Sequence, residues 1–267
     1  LIENYCENIR RLGEAGVKCV CYNFMPVFDW LRSELKRPAT DGSNSLAYDE
    51  KTVLAMDPAA GGLSLPGWDE SYTKEGLRAL LKQYEAVTEE KLWRNLQTFL
   101  EAVIPVAHEA GINMAIHPDD PPWDMFGLPR IITSAESYDK LFGAVPNPHN
   151  GVTFCTGSLG AGRFNDLPDM AKKYASRIYF AHIRQLQYHG DMDFTEMGHL
   201  TSAGNLDIYA IVKGLVEAGF EGYVRPDHGR MIWGETGKPG YGLFDRALGA
   251  TYINGLFEAL EKENAKK

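Results

Sequence analysis

Four side chains that commonly bind transition metals stand at the ends of four apolar segments. His117, Cys155, His182 and Asp227 each close a run of mainly apolar residues in which a short buried strand is predicted. Segments with helical spacing separate these runs, so the pattern predicts strand–helix repeats that form a parallel sheet covered by helices. Because the carboxyl ends of parallel strands meet at one face, the four donors are expected to lie together there.

The donor set itself narrows the choice of ion. Two imidazoles, one thiolate and one carboxylate suit Mn, Fe, Co or Zn, whereas calcium and magnesium prefer oxygen ligands. If substrate oxygens join the shell, the coordination number exceeds four, which favours Mn or Fe over a closed structural zinc site. Each residue taken alone has an ordinary alternative, since a strand-end histidine is usually a satisfied polar group and a lone cysteine a small core residue.

The elements that must position these donors follow from the hydrophobic periodicity. Amphipathic spacing predicts a helix at the start of the chain, and apolar runs predict strands at 18–24, 112–117, 151–155, 178–183 and 223–227. Further helices are predicted near 71–84, from Thr88, from Thr133 with a capping box to Glu136, near 166–175, at 206–218 and from about Phe244. The stretch from about 25 to 66 is irregular and rich in Gly, Ser, Asp and Pro, which predicts a long loop excursion with a functional role.

These units predict an α/β fold of the TIM type, a (β/α) barrel formed as a single domain over residues 1–267. Five strands are recognisable from the pattern, whereas a closed barrel has eight. The expectation is therefore a partial barrel that lacks its first βα units. Because an incomplete barrel leaves strand edges unpaired, a catalytically silent truncated barrel stays open as an alternative.

Composition excludes several classes of partner. The net charge of -9 and the pI near 5.3 argue against nucleic acid and against an anionic membrane surface, since either would require a basic stripe. No apolar run approaches the roughly 20 residues that span a bilayer. Four cysteines are too few and too irregularly spaced for a disulfide framework, which indicates a reducing, cytoplasmic location. An anionic substrate would need positive charge supplied locally by a metal or nearby Arg and His.

The segments around the donors resemble the mannonate dehydratase family over essentially the whole chain. The matching segments are Asn23 to Trp30, Ala115 to Pro122, Phe154 to Ser158, Ala181 to Arg184 and Arg225 to Arg230. The resemblance implies Mn²⁺ or Fe²⁺ bound by His117, Cys155, His182 and Asp227, with His228 and Tyr241 as an acid/base pair. It also implies a lyase of hexuronate catabolism that dehydrates D-mannonate to 2-dehydro-3-deoxy-D-gluconate. Family members carry further N-terminal βα units before the helix that opens this chain.

Five more residues are candidates for binding a small sugar-acid substrate. Arg184 and Arg230 could clamp a carboxylate with two hydrogen bonds each, although either could be an ordinary ion-pair partner. Asp119 and Asp120 could orient ligands or bind hydroxyl groups, although Asp-Asp-Pro-Pro is also common turn chemistry. His199 could reach the sugar from the loop after the strand of His182.

Two further questions stay open at the level of sequence. Tyr241 lies in a Gly-Lys-Pro-Gly-Tyr-Gly segment that could close over the site as a lid, or could be an ordinary solvent-facing loop. A metal-dependent sugar isomerase or epimerase would use the same scaffold and a similar metal shell. A homo-oligomer is expected as an open alternative to a monomer.

Overall fold

The computed structural model describes residues 1–58 and 73–266. Its strands are β1 (Cys19–Tyr22), β2 (Glu34–Pro38), β3 (Asn44–Asp49), β4 (Asn113–Ile116), β5 (Asn150–Cys155), β6 (Ile178–Ile183), β7 (Gln185–Gly190), β8 (Asp193–Met197) and β9 (Tyr223–Pro226). Its α-helices are α1 (Ile2–Glu14), α2 (Glu50–Leu54), α3 (Lys74–Tyr84), α4 (Glu89–Glu109), α5 (Ala135–Ala144), α6 (Thr156–Ala161), α7 (Leu167–Tyr174), α8 (Ile208–Glu217) and α9 (Leu243–Asn264).

The five strands predicted from apolar runs form one parallel sheet in the order β1-β4-β5-β6-β9. Every residue of β5 is buried, as expected for a strand that is covered on both faces. In the register of this sheet, Cys155 lies opposite His182, and His182 lies opposite Arg225. The predicted α/β architecture is therefore confirmed, and the sheet brings the predicted donors to neighbouring strand ends.

A second sheet corrects the prediction of a loop excursion over about 25–66. Two strands, β2 and β3, and the short helix α2 occupy much of the described part of this stretch, and residues 59–66 lie outside the described residues. The antiparallel sheet has the order β2-β3-β8-β7. Because β3 pairs with β8, as between Ala47 and Thr195, the stretch is ordered by residues far away in the chain, which local periodicity does not reveal.

The helices begin close to their predicted positions. Thr88 caps α4, because its hydroxyl oxygen accepts a hydrogen bond from the Lys91 amide at 3.2 Å. The capping box of α5 lies one residue later than predicted, with Ser134 as the cap and Ser137 closing the box in place of Glu136. Of the helix predicted near 71–84, residues 71 and 72 lie outside the described residues. Within the described ranges, no helix combines the length and apolarity needed to cross a membrane.

Candidate metal centre

Three of the four predicted donors converge at the carboxyl end of the parallel sheet. Ligand atoms of His117, Cys155 and His182, which lie at or within one residue of the ends of β4, β5 and β6, are within 4.8 Å of one another. Asp227 follows β9 and joins them: its Oδ2 atom lies 3.6 Å from Cys155 Sγ, and its Oδ1 atom lies 3.3 Å from His182 Nδ1. Side chains separated by more than a hundred positions thus occupy one neighbourhood.

The donors present suit a divalent cation. His182 is buried, and neither of its ring nitrogens has a hydrogen-bond partner among the described residues, since its contact with Asp227 lacks hydrogen-bond geometry. Burial lowers the pKa of His182 well below the usual value, which favours the neutral form that binds metals. The Nδ1 atom of His117 lies 2.7 Å from the Pro118 carbonyl oxygen, and donation there leaves Nε2 available as a ligand.

The charges around the donors favour a cation in their midst. Burial alone would lower the pKa of His117, but the adjacent Cys155 sulfur, together with Cys21 and Asp227, outweighs it and raises this pKa to about 10. Burial alone would raise the pKa of Asp227, but His228, His182 and two arginines, Arg184 and Arg225, hold it well below its usual value. The cluster therefore stabilises positive charge at its centre and keeps its carboxylate ionised, as a metal site requires.

A cavity of about 200 Å³ opens beside the donors. Both predicted acid/base residues line it, and the rings of His228 and Tyr241 lie 5.6 Å apart. The indole of Trp30 packs 4.9 Å from the His228 ring. Because Trp30 belongs to the predicted loop excursion, that stretch does contribute to the candidate site. The described residues that line the cavity are Cys21, Tyr22, Asn23, Asp29, Trp30, His117, Asp120, His182, Arg225, Asp227, His228 and Tyr241.

A buried network of charged residues contacts His228. Glu196, on β8, accepts from Arg184 at 2.8 Å and from Arg32 at 2.7 Å, and both arginines also donate to Asp120. The Nδ1 atom of His228 lies 2.8 Å from Glu196 Oε2 and 2.7 Å from Arg184 Nη1. Since a guanidinium can only donate, a protonated Nδ1 pairs with Glu196 and leaves Nε2 free. Sequence reasoning missed Arg32 and Glu196, which are 164 positions apart.

The predicted substrate-binding residues occupy different places. Asp120 lines the cavity, but it and Arg184 are buried and paired with each other at 2.7 Å. Asp119 accepts hydrogen bonds from the backbone amides of Ile131 and Ile132, so it holds the loop after β4. The substrate roles of these residues stay predictions.

His199 and Arg230 line a separate cavity of about 400 Å³ and not the one beside the donors. Arg230 pairs there with Asp245 at 3.0 Å and with Asp41 at 3.1 Å. Arg225, by contrast, lines the cavity beside the donors, and sequence reasoning missed it. The signal was available: Arg225 precedes Asp227 by two positions, and alternate residues of a strand face the same side.

The chain is similar to proteins of known function. The model of the D-mannonate dehydratase (UxuA) family matches residues 1–267. The mannonate dehydratase of Oceanobacillus iheyensis is 54% identical over 261 residues, which cover 98% of this chain and 75% of that protein. The crystal structure of mannonate dehydratase from Streptococcus suis serotype 2 superposes with a TM-score of 0.90 at 46% identity, over 98% of this chain and 72% of that one.

A more distant neighbour bears on the fold alone. A xylose isomerase-like TIM barrel protein from Mycobacterium smegmatis superposes with a TM-score of 0.55 at 14% identity, over 97% of this chain and 68% of that one. The five-stranded parallel sheet is thus the wall of a TIM-type barrel, as the sequence predicts. With the family match over the full chain and relatives at about half identity, the chain belongs to the D-mannonate dehydratase family.

Proposed function

We propose that this chain dehydrates D-mannonate to 2-dehydro-3-deoxy-D-gluconate with one Mn²⁺ or Fe²⁺ ion bound by His117, Cys155, His182 and Asp227. The observation that carries the proposal is the approach of three of these donors to within 4.8 Å, beside a cavity lined by an acid/base pair. The mixed nitrogen, sulfur and oxygen set supports Mn²⁺ or Fe²⁺ over Mg²⁺. The substrate follows from the relatives, which are mannonate dehydratases.

The reaction breaks two bonds of the substrate. The proton on C2 and the hydroxyl on C3 leave together as water, and the resulting enol rearranges to the C2 ketone. The C2 proton is only weakly acidic, and a divalent cation, when bound, supplies Lewis-acid stabilisation of the negative charge that develops as it departs. The protein must therefore place a base near C2 and an acid near the C3 hydroxyl.

His228 and Tyr241 are proposed for these two roles. In the neutral tautomer whose Nδ1 donates to Glu196, His228 presents Nε2 as the acceptor that can take the C2 proton. Burial raises the pKa of Tyr241, so its phenol keeps its proton near neutral pH and can donate it to the departing hydroxyl. Both rings line the cavity, so both can reach one substrate.

A turnover assay separates this proposal from its rivals. The purified chain is loaded with Mn²⁺ or, without oxygen, with Fe²⁺ and is incubated with D-mannonate and, separately, with neutral aldoses and ketoses. Formation of a 2-keto-3-deoxy acid from D-mannonate alone is expected. Interconversion of neutral sugars without loss of water would favour the isomerase or epimerase alternative. Metal binding without turnover of any of them would favour the silent barrel.

The cellular location, the metabolic role and the partners of the enzyme are also proposed. We place the enzyme in the cytoplasm and in hexuronate catabolism, with a small sugar acid as its partner, and the acidic surface supports the lack of a nucleic-acid or membrane role. A homo-oligomer stays a prediction, and it is supported by large apolar side chains that are exposed on and near α9, among them Trp233, Phe244 and Leu248.

A further inference from the structure

Positive charge is scarce where the proposed substrate must bind. A sugar acid brings a carboxylate at C1, next to the carbon that loses its proton, to a chain whose net charge is -9. Among the described residues that line the cavity beside the donors, Arg225 is the one arginine, and there is no lysine. Arg225 is therefore the side chain of this lining that could bind the substrate carboxylate.

The other arginines near the cavity are already committed. Arg32 and Arg184 have side chains that are 0% and 1% exposed, and both donate to the carboxylates of Asp120 and Glu196. Displacing these hydrogen bonds to bind a substrate would leave buried charges unpaired, at a high energetic cost. Neither guanidinium is therefore suited to bind an incoming anion.

Arg225 has a partly exposed side chain, unlike Arg32 and Arg184, and it keeps one donor that no described residue uses. It lies on β9 directly opposite His182 of β6, and its side chain is 43% exposed. Its Nη2 atom donates to Asp227 Oδ1 at 2.7 Å, while its Nε atom is buried and has no hydrogen-bond partner among the described residues. The guanidinium lies 5.9 Å from the Phe180 ring centre, which limits its movement on that side.

We propose that Arg225 binds the C1 carboxylate of the sugar acid and thereby selects acids over neutral sugars. The inference rests on the proposed function and adds the residue that decides the substrate class. An arginine fork matches a carboxylate, and its free Nε–H offers a donor that no protein group uses. Because the guanidinium also holds Asp227, a carboxylate bound to it places C2 beside the donors and within the cavity of His228.

The test compares binding of an acid with binding of its neutral counterpart. D-mannonate and D-mannitol share the hydroxyl pattern from C2 to C6 and differ in the carboxylate at C1. Because the active enzyme would dehydrate D-mannonate, their dissociation constants are measured by calorimetry on the Mn²⁺-loaded His228→Asn protein, alone and combined with Arg225→Gln, Arg225→Lys or Arg163→Gln. The last is a matched control, because Arg163 forms an exposed ion pair with Asp191 away from the cavity. Bound Mn²⁺ and circular dichroism are recorded for each.

The proposal predicts that Arg225→Gln weakens D-mannonate binding by about 10- to 100-fold while D-mannitol binding and Mn²⁺ content stay unchanged. Arg225→Lys should retain part of the preference for the acid, and Arg163→Gln all of it. Equal weakening for acid and polyol, or loss of Mn²⁺ from both Arg225 variants, would overturn the proposal, since Arg225 would then serve only Asp227. Unchanged acid preference in Arg225→Gln would overturn it too. Failure of the proposed function would instead appear as absent dehydration by the wild type.

Discussion

His228 is oriented by charged partners on one side and by aromatic rings on the other. Glu196 lies 2.8 Å from its Nδ1 atom, and the rings of Trp30 and Tyr241 lie 4.9 and 5.6 Å from its own ring centre. A histidine held in this way loses little entropy when the substrate binds, which is what proton transfer at a fixed carbon requires. None of these contacts involves a metal donor, so the role of His228 can be separated from that of the ion.

We predict that His228→Asn lowers kcat by about 100- to 10,000-fold and leaves the bound metal in place, because the substitution removes a proton-transfer group that lies outside the donor set. Steady-state kinetics on D-mannonate and metal analysis of the same preparation check this. The control is His108→Asn, whose side chain is exposed on α4 and should change neither quantity. Loss of the metal from His228→Asn would mean that His228 supports the ion and not the reaction.

For single residues, the residue type and its position at a strand end were enough to predict part of the candidate site. The placement of His117, Cys155 and His182 at strand ends predicted their meeting, because parallel strands fix the direction of every end. The sequence did not single out Arg225, although the period of a strand places it on the face of Asp227. It also named His199 as a substrate contact, and that side chain lines another cavity because its loop turns toward α9.

The antiparallel sheet contributes residues to the candidate site although it is separate from the five-stranded parallel sheet. It brings Glu196 on β8 and Arg32, just before β2, to Asp120 and Arg184, and all four are buried. Four charges of alternating sign in the interior are stable only while each is paired. The sheet therefore couples its own folding to the orientation of His228.

We predict that Arg32→Met destabilises the protein by about 3 to 5 kcal/mol, because Asp120 and Glu196 each lose a buried partner. Arg37→Met is the matched control in the same sheet. Its ion pair with Glu34 is partly exposed, so the cost should stay below about 1 kcal/mol. Urea unfolding followed by circular dichroism measures both. Equal stability of the two variants would show that the buried network adds nothing to the fold.

The two sheets differ in how far the sequence predicts them. The strands of the parallel sheet come from runs of mainly apolar residues, and this pattern is visible locally. Strand β2 (Glu34–Pro38) is mostly polar, and β3 pairs not only with β2 but also with β8, about 150 positions later. Likewise, the N-cap of α5 is Ser134 and not the predicted Thr133. The Ser137 hydroxyl, and not the predicted Glu136 carboxylate, accepts hydrogen bonds from the backbone amides of Thr133 and Ser134.

For the whole molecule, the acidic charge and the buried carboxylates set the response to pH. Burial works to raise the pKa of Glu196, but the two buried arginines and His228 outweigh it and lower this pKa from 4.5 to about 2. The same arginines lower the pKa of Asp120. A carboxylate whose pKa is lowered by folding stabilises the fold above its unfolded value and loses this contribution as the pH falls through the folded value.

We therefore predict that the free energy of unfolding of the metal-free protein falls as the pH decreases from about 4.5 to about 2. Burial raises the pKa of Asp119, so this residue makes the free energy of unfolding rise as the pH decreases. The predicted fall therefore requires that the contributions of Glu196 and Asp120 together exceed that of Asp119. Denaturant unfolding at pH 7, 4.5 and 3 with a chelator present, so that metal release is not measured, checks the sign. Constant or rising stability toward pH 3 would contradict it.

The proposed metal site requires that four distant side chains surround one cation, with the Cys155 sulfur among its ligands. The most direct measurement is the near-ultraviolet spectrum of the Co²⁺-loaded protein, together with the number of ions bound per chain, for the wild type and for Cys155→Ala. We expect one ion per chain and a thiolate-to-cobalt charge-transfer band in the wild type, and loss of both in Cys155→Ala. An unchanged band and unchanged stoichiometry in Cys155→Ala would contradict it.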